Sequence, residues 1–189
     1  MKYMLVALSL MFAAGSYAHD RDQRHSDARD STAFADNSVV RWNSMAGVIT
    51  AQGVDNPVND IHSGTFAWTT TGGRAEVNLT NGEVKFQVQG LVINGSQFSG
   101  TTGPITAVVG TLVCNAGETS NGNSIETVFD TAQVPLSAGG DAQFSGDIGS
   151  IDTPCDNPLF LVRIAQPEGA FGLWIATGSV RTSDHKSEE

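Results

Sequence analysis

Residues 74–92, Arg-Ala-Glu-Val-Asn-Leu-Thr-Asn-Gly-Glu-Val-Lys-Phe-Gln-Val-Gln-Gly-Leu-Val, alternate apolar and polar side chains on both sides of an Asn-Gly pair. Successive side chains of an extended strand point to opposite faces, so this alternation leaves one apolar and one polar face. Ala75, Val77 and Leu79 share a face of the first arm, and Val84, Phe86 and Val88 share a face of the second. Glu76, Asn78, Lys85, Gln87 and Gln89 point the other way. Asn81-Gly82 supplies two residues that tolerate positive φ, as a type I′ turn requires, and that turn has the twist of its flanking strands. The stretch reads as a β-hairpin, and its register fixes which face is core.

The remainder of the chain follows the same pattern. Val39, Val40, Trp42, Met45, Val48 and Ile49 supply a first apolar run, and residues 52–63 read as a long loop. Residues 64–73 read as a strand with Phe66 and Trp68 on one face, ended by Gly72-Gly73 and paired with the hairpin. A Gly/Ser/Thr-rich connection containing Asn94-Gly95 follows. Residues 105–114 are β-branched and apolar on both faces, which marks a central strand. Residues 115–123 read as a polar loop, and residues 128–136, 142–148, 159–165 and 173–181 complete the strands. No stretch shows a capped apolar period of 3.6 residues, so helix is minor or absent. The predicted fold is all-β, an antiparallel β-sandwich of about 8–10 strands, with a barrel as second choice.

Compartment and charge bound the function. Lys2, the apolar run from Tyr3 to Ala14, and small residues at Ser16 and Ala18 form the pattern of a secretory signal peptide over residues 1–18. Residues 19–37 then read as a charged, mobile arm, residues 38–182 as one domain and residues 183–189 as a charged tail. No apolar run reaches the ~20 residues that span a bilayer as a helix, so membrane insertion is not expected. The net charge is −10, from 20 acidic residues against 10 Lys and Arg. That balance excludes nucleic acid and anionic lipid, which are held by clustered cations. The expected protein is secreted or periplasmic, with a protein, a glycan or another surface component as its partner.

Cys114 and Cys155 are the only cysteines. In an oxidising compartment an even pair is a disulfide, and neither Cys-x-x-Cys spacing nor neighbouring histidines suggest a metal or redox site. Catalytic groups are sparse. His62 is the only histidine inside the expected domain, and no Gly-x-Ser-x-Gly elbow occurs. Cleavage after Ala18 would make His19 the first residue, and its α-amine and imidazole together can chelate copper, with His25 or His62 as second ligand. A copper-binding or copper-dependent oxidative protein is therefore the alternative reading. Asp147, Asp152 and Asp156, like Asp55-Asn56 with Asp60, offer oxygen ligands for Ca²⁺, against the commoner role of loop aspartates in turns. Trp42, Trp68 and Trp174 read as core rather than as a sugar-stacking platform. Arg163, alone in an apolar strand, must face solvent at an edge or pair with an acid.

Ala51-Gln-Gly-Val-Asp-Asn-Pro-Val-Asn, Ser63-Gly-Thr-Phe-Ala and the hairpin closing in Gly90-Leu91 resemble the first half of a CHRD (chordin-type) domain. The resemblance implies a secreted β-sandwich serving as a binding or structural module. That family often carries a His-x-His pair shortly after Gly-Leu, where this chain has Val92-Ile-Asn-Gly-Ser-Gln-Phe98. No histidine-dependent or metal-related role carries over. The reading is an exported, non-enzymatic module with no cofactor.

Overall fold

The structure, a computed structural model, describes residues 39–58, 60–166 and 171–183. The expected signal peptide, arm and tail lie outside these residues, apart from Ser183. The strands in chain order are β1 (Val39–Gly47), β2 (Ala67–Thr69), β3 (Gly72–Asn78), β4 (Glu83–Gln89) and β5 (Val92–Asn94). They continue with β6 (Ala107–Cys114), β7 (Thr119–Ser120), β8 (Asn123–Ser124), β9 (Thr127–Asp130) and β10 (Val134–Pro135). The last are β11 (Ala142–Asp147), β12 (Leu159–Ala165) and β13 (Phe171–Ser183). The described residues contain no helix, as the sequence predicts.

Nine strands form one antiparallel sheet, ordered β10-β6-β12-β13-β1-β3-β4-β11, with β9 also on β6. The sheet curls into a half-barrel, so one sheet supplies both packed faces. Phe86 on β4 and Phe160 on β12 belong to strands four places apart, yet their ring centroids are 5.6 Å apart. Trp42 on β1 closes the cluster, 5.7 Å from Phe160. Gly110 on β6 makes room for it: a Cβ there would sit 2.7 Å from both phenylalanine rings. Trp42, Phe160, Leu91, Leu112, Leu161 and Ile175 are fully buried, and each such side chain contributes about 1.5–3 kcal/mol relative to exposure. Residues 108–114 of β6 are buried on both faces, matching the central strand that its composition predicts.

The hairpin forms with its predicted faces but a different turn. Ala75 pairs with Phe86 and Val77 with Val84, leaving a four-residue loop over residues 79–82. A two-residue turn at Asn81-Gly82 would have paired Val77 with Phe86. The observed register is shifted by two residues, and an even shift leaves every side chain on its predicted face. Within the loop only Gly82 has positive φ, at 74°, and its amide donates to the Asn78 carbonyl at 2.9 Å. The Asn78 and Asn81 side chains accept the amides of Thr80 and Glu83. The type I′ conformation occurs instead at Asn121-Gly122, with φ of 51° and 78°, between β7 and β8 in the segment read from the sequence as a polar loop.

Three further segments differ from expectation. β2 pairs with β5, just after the hairpin, rather than with the hairpin itself. Gly72-Gly73 starts β3 rather than ending a strand, because the chain enters the large sheet there at close quarters. A Cβ at Gly73 would lie 2.6 Å from the Gln87 carbonyl oxygen and from Met45. Residues 128–136 divide into β9 and β10 because buried Thr131 turns inward. Its amide donates to the Gly110 carbonyl, and its hydroxyl accepts the Gly110 amide, both at 2.9 Å. The Cys114–Cys155 disulfide forms as predicted, tying the end of β6 to the loop before β12. At a sequence separation of 41 residues, loop closure is worth about 4 kcal/mol in the chain-entropy account.

Candidate binding face

Strands β1, β3, β4 and β11 lie side by side, and their inward residues Trp42, Ala75, Val77, Val84, Phe86 and Ala142 are buried. Strand alternation therefore turns Arg41, Asn43, Arg74, Glu76, Lys85, Gln87, Gln143 and Ser145 outward. The register lines up Arg41, Glu76, Lys85 and Ser145 across the strands in one row. Arg74, Gln87 and Gln143 form the next row. These side chains line a groove of about 700 Å³. A second cleft of about 570 Å³, lined by Gln89, Pro135 and Asp141 among others, shares Gln87 and Gln143 with the first. The two adjoin at these residues, forming a shallow channel over β4 and β11 on the side where β10 approaches β11.

The electrostatics of this channel differ from those of the chain as a whole. The described residues hold five Lys and Arg, namely Arg41, Arg74, Lys85, Arg163 and Arg181, and three of the five line the groove. Arg41 Nε donates to Glu76 Oε2 at 2.9 Å, which neutralises the carboxylate in the groove lining. Lys85 Nζ lies 2.7 Å from Glu83 Oε1, and this hydrogen bond raises its amine above the ordinary value. Arg74 is exposed and makes no ion pair among the described residues. Exposed ion pairs are worth about 0–1 kcal/mol, so Lys85, whose pair with Glu83 is exposed, can share its charge with a ligand at little cost. Asp141 is committed to the backbone, accepting the Gly90 amide at 3.0 Å.

A second polar cluster sits in the loop between β1 and β2. Asp55 accepts from His62 Nδ1 at 2.5 Å and from the Ser63 amide at 2.8 Å. The His62 hydrogen bond first, and the Ser63 amide next, hold the Asp55 carboxyl below its usual value. An aspartate orienting an imidazole is half of a nucleophile-activating triad. The adjacent hydroxyl does not complete it. Ser63 is 1% exposed, its Oγ accepts the Asn56 amide at 2.8 Å, and it faces Asp55 rather than the imidazole. The arrangement ties the loop together.

The other residues singled out from the sequence are dispersed. His19 and His25 lie outside the described residues. Asp147 caps its own turn by accepting the Gly149 amide at 2.7 Å, Asp152 is exposed, and the Asp156 backbone amide donates to Asn115 Oδ1 at 2.9 Å. Among the described residues no group of three or more His, Cys, Asp or Glu is placed to hold a metal ion. Trp42, Trp68 and Trp174 are core residues, and Trp174 Nε1 donates to the Asn56 carbonyl at 2.9 Å. Arg163 meets its requirement through an acid: Nη1 is 3.4 Å from Asp130 Oδ1, and Nε donates to the Gly172 carbonyl at 3.0 Å. Burial pushes its guanidinium pKa down, and Asp130 pulls it back up.

The groove was only half visible in the sequence. Alternation marks Glu76, Lys85 and Gln87 as outward, but their alignment with Arg41 and Gln143 depends on pairing with strands distant in sequence. Searches for similar proteins found no match among family models, curated proteins or solved structures.

Proposed function

We propose that this chain is an exported, non-enzymatic binding module that holds an extended polar ligand, a polymer of the cell exterior, in the channel across β1, β3, β4 and β11. The observation that carries the reading is the channel lining: cations and amides presented by adjacent strands over a buried aromatic underside. Strand pairing fixes the spacing of these residues, so a ligand has to order their side-chain rotamers but not the backbone that carries them. Arginine, lysine and amides hold ligands by hydrogen bonds and charge, which suits recognition rather than bond cleavage. Export is supported by the leader-like first eighteen residues and by the disulfide, a bond that persists in oxidising compartments. The resemblance to CHRD domains agrees with a module of this kind.

Gln87 lines both clefts, so Gln87→Trp should fill the channel while leaving the inward face of β4 intact. With immobilised neutral and acidic polysaccharides as probes, the wild-type chain should bind at least one class. The variant should bind it at least tenfold more weakly at an unchanged melting temperature. Absence of any binding tighter than about 1 mM, or full binding by Gln87→Trp, would overturn the reading.

A further inference from the structure

We infer that the ligand of this channel is an acidic polysaccharide, a chain of sugars carrying carboxylates among hydroxyls; this rests on the binding-module reading above. Charge is the first ground. In a protein of net charge −10, three of the five described cations converge on one groove, where the carboxylate of Glu76 is held by Arg41. Arg74 offers a planar set of N–H donors that matches the two oxygens of a carboxylate. The second ground is the alternation of cations with neutral groups. Asn43, Gln87, Gln143 and the Ser145 hydroxyl each donate and accept, as sugar hydroxyls require. The third is shape, because two adjoining clefts that share Gln87 and Gln143 in their lining suit a chain better than a single small molecule.

The same grounds separate this ligand from other polyanions. A nucleic acid is held by cations spaced along a continuous phosphate backbone. Here the cations number three and are confined to the first cleft, while the second carries amides and Asp141, so carboxylates are met in the first cleft and sugar hydroxyls in the second. An extended acidic peptide gains affinity by adding a strand to an open sheet edge. Beneath the groove, β1, β3 and β4 are paired along both edges and offer side chains only. Among the described residues the one unpaired ladder beside the channel is the outer edge of β11, and the poly-glutamate arm of the test reads strand addition there.

The test measures binding of the full mature chain to polygalacturonate, to neutral dextran and to poly-glutamate. Arg74→Glu, Arg74→Lys and the off-groove control Arg181→Glu are run beside the wild type. Polygalacturonate should bind, and its affinity should fall at least tenfold in Arg74→Glu, fall less in Arg74→Lys and stay unchanged in Arg181→Glu. It should also weaken as salt shortens the Debye length from about 10 Å at 0.1 M toward about 3 Å at 1 M. Dextran and poly-glutamate should bind at least tenfold more weakly. If polygalacturonate fails to bind, or binds Arg74→Glu undiminished, the inference is wrong. Dextran binding that is lost in Gln87→Trp would then leave the binding module standing with a neutral ligand. Poly-glutamate binding as tight as polygalacturonate would replace the sugar with an acidic peptide.

Discussion

Val180 holds a φ of 54° in the exposed outer part of β13. In this left-handed region the Cβ of an L-residue crowds its own carbonyl, at a cost of roughly 1–2 kcal/mol, and β-branching makes it worse. The residues on either side hold it there. Ser179 pairs with Ser44 and Arg181 with Trp42, and the Ser44 and Ser179 hydroxyls are 2.7 Å apart. Asparagine enters this region at lower cost, so Val180→Asn should stabilise the protein by about 1 kcal/mol, while Val180→Ala should gain much less. For a domain of this size the Asn variant should melt about 2–4 °C higher. A melting temperature at or below that of wild type would show that the backbone there relaxes without strain. Nothing in the sequence flags Val180, since valine is the residue that strand propensity favours. Arg163 is the opposite case. Its charge among Leu159, Phe160, Leu161, Val162 and Ile164 announces a requirement, and Asp130 answers it from another strand.

At the scale of elements, the loop between β1 and β2 depends on one carboxylate. Asp55 holds His62 and the Ser63 amide together, and Ser63 in turn accepts the Asn56 amide. Its folded pKa lies below the ordinary value of 3.8. A depressed carboxylate contributes its full stabilisation above the unfolded value and loses it as pH falls through the folded value. The loop should therefore stay protected above pH 3.8 and open progressively below it, before the disulfide-tied core unfolds. Hydrogen exchange of residues 50–63 across that window should show the loss, and His62→Ala should move it upward, because His62 is the largest cause of the shift. Protection independent of pH there would mean that Asp55 does not hold the loop. Strands are the legible elements: the sequence predicts residues 159–165 to the residue, and the alternation in β3 and β4 assigns the faces that the structure shows. Turns are not, because Asn-Gly suits equally a two-residue turn and a four-residue loop with glycine last. Gly82 takes the second form because the chain packs on it, with the Ile148 amide donating to the Gly82 carbonyl at 3.0 Å.

For the whole molecule, what the sequence does not encode locally is which strands meet. Apolar periodicity predicts two packed faces, and both exist, but they belong to one sheet whose order interleaves early and late segments. The channel depends on that order, since β1 and β11 reach the hairpin only through long-range pairing. The curl can be tested through Gly110 and Phe86, which lie on strands five places apart in the sheet yet meet across the interior. Gly110→Ala places a methyl group where Phe86 and Phe160 stand at 2.7 Å, and overpacking of this kind costs about 1–3 kcal/mol. Phe86→Leu alone removes packing and should cost about 1–2 kcal/mol. In the double variant the smaller side chain relieves the Phe86 part of the clash and leaves the Phe160 part, so the two costs should add only in part. Denaturant unfolding of the four proteins should give a coupling of about 0.5–3 kcal/mol in favour of the double variant. Residues more than about 7–10 Å apart with no shared partner add to within about 0.5 kcal/mol, so additivity here would place β6 and β4 apart and undo the half-barrel.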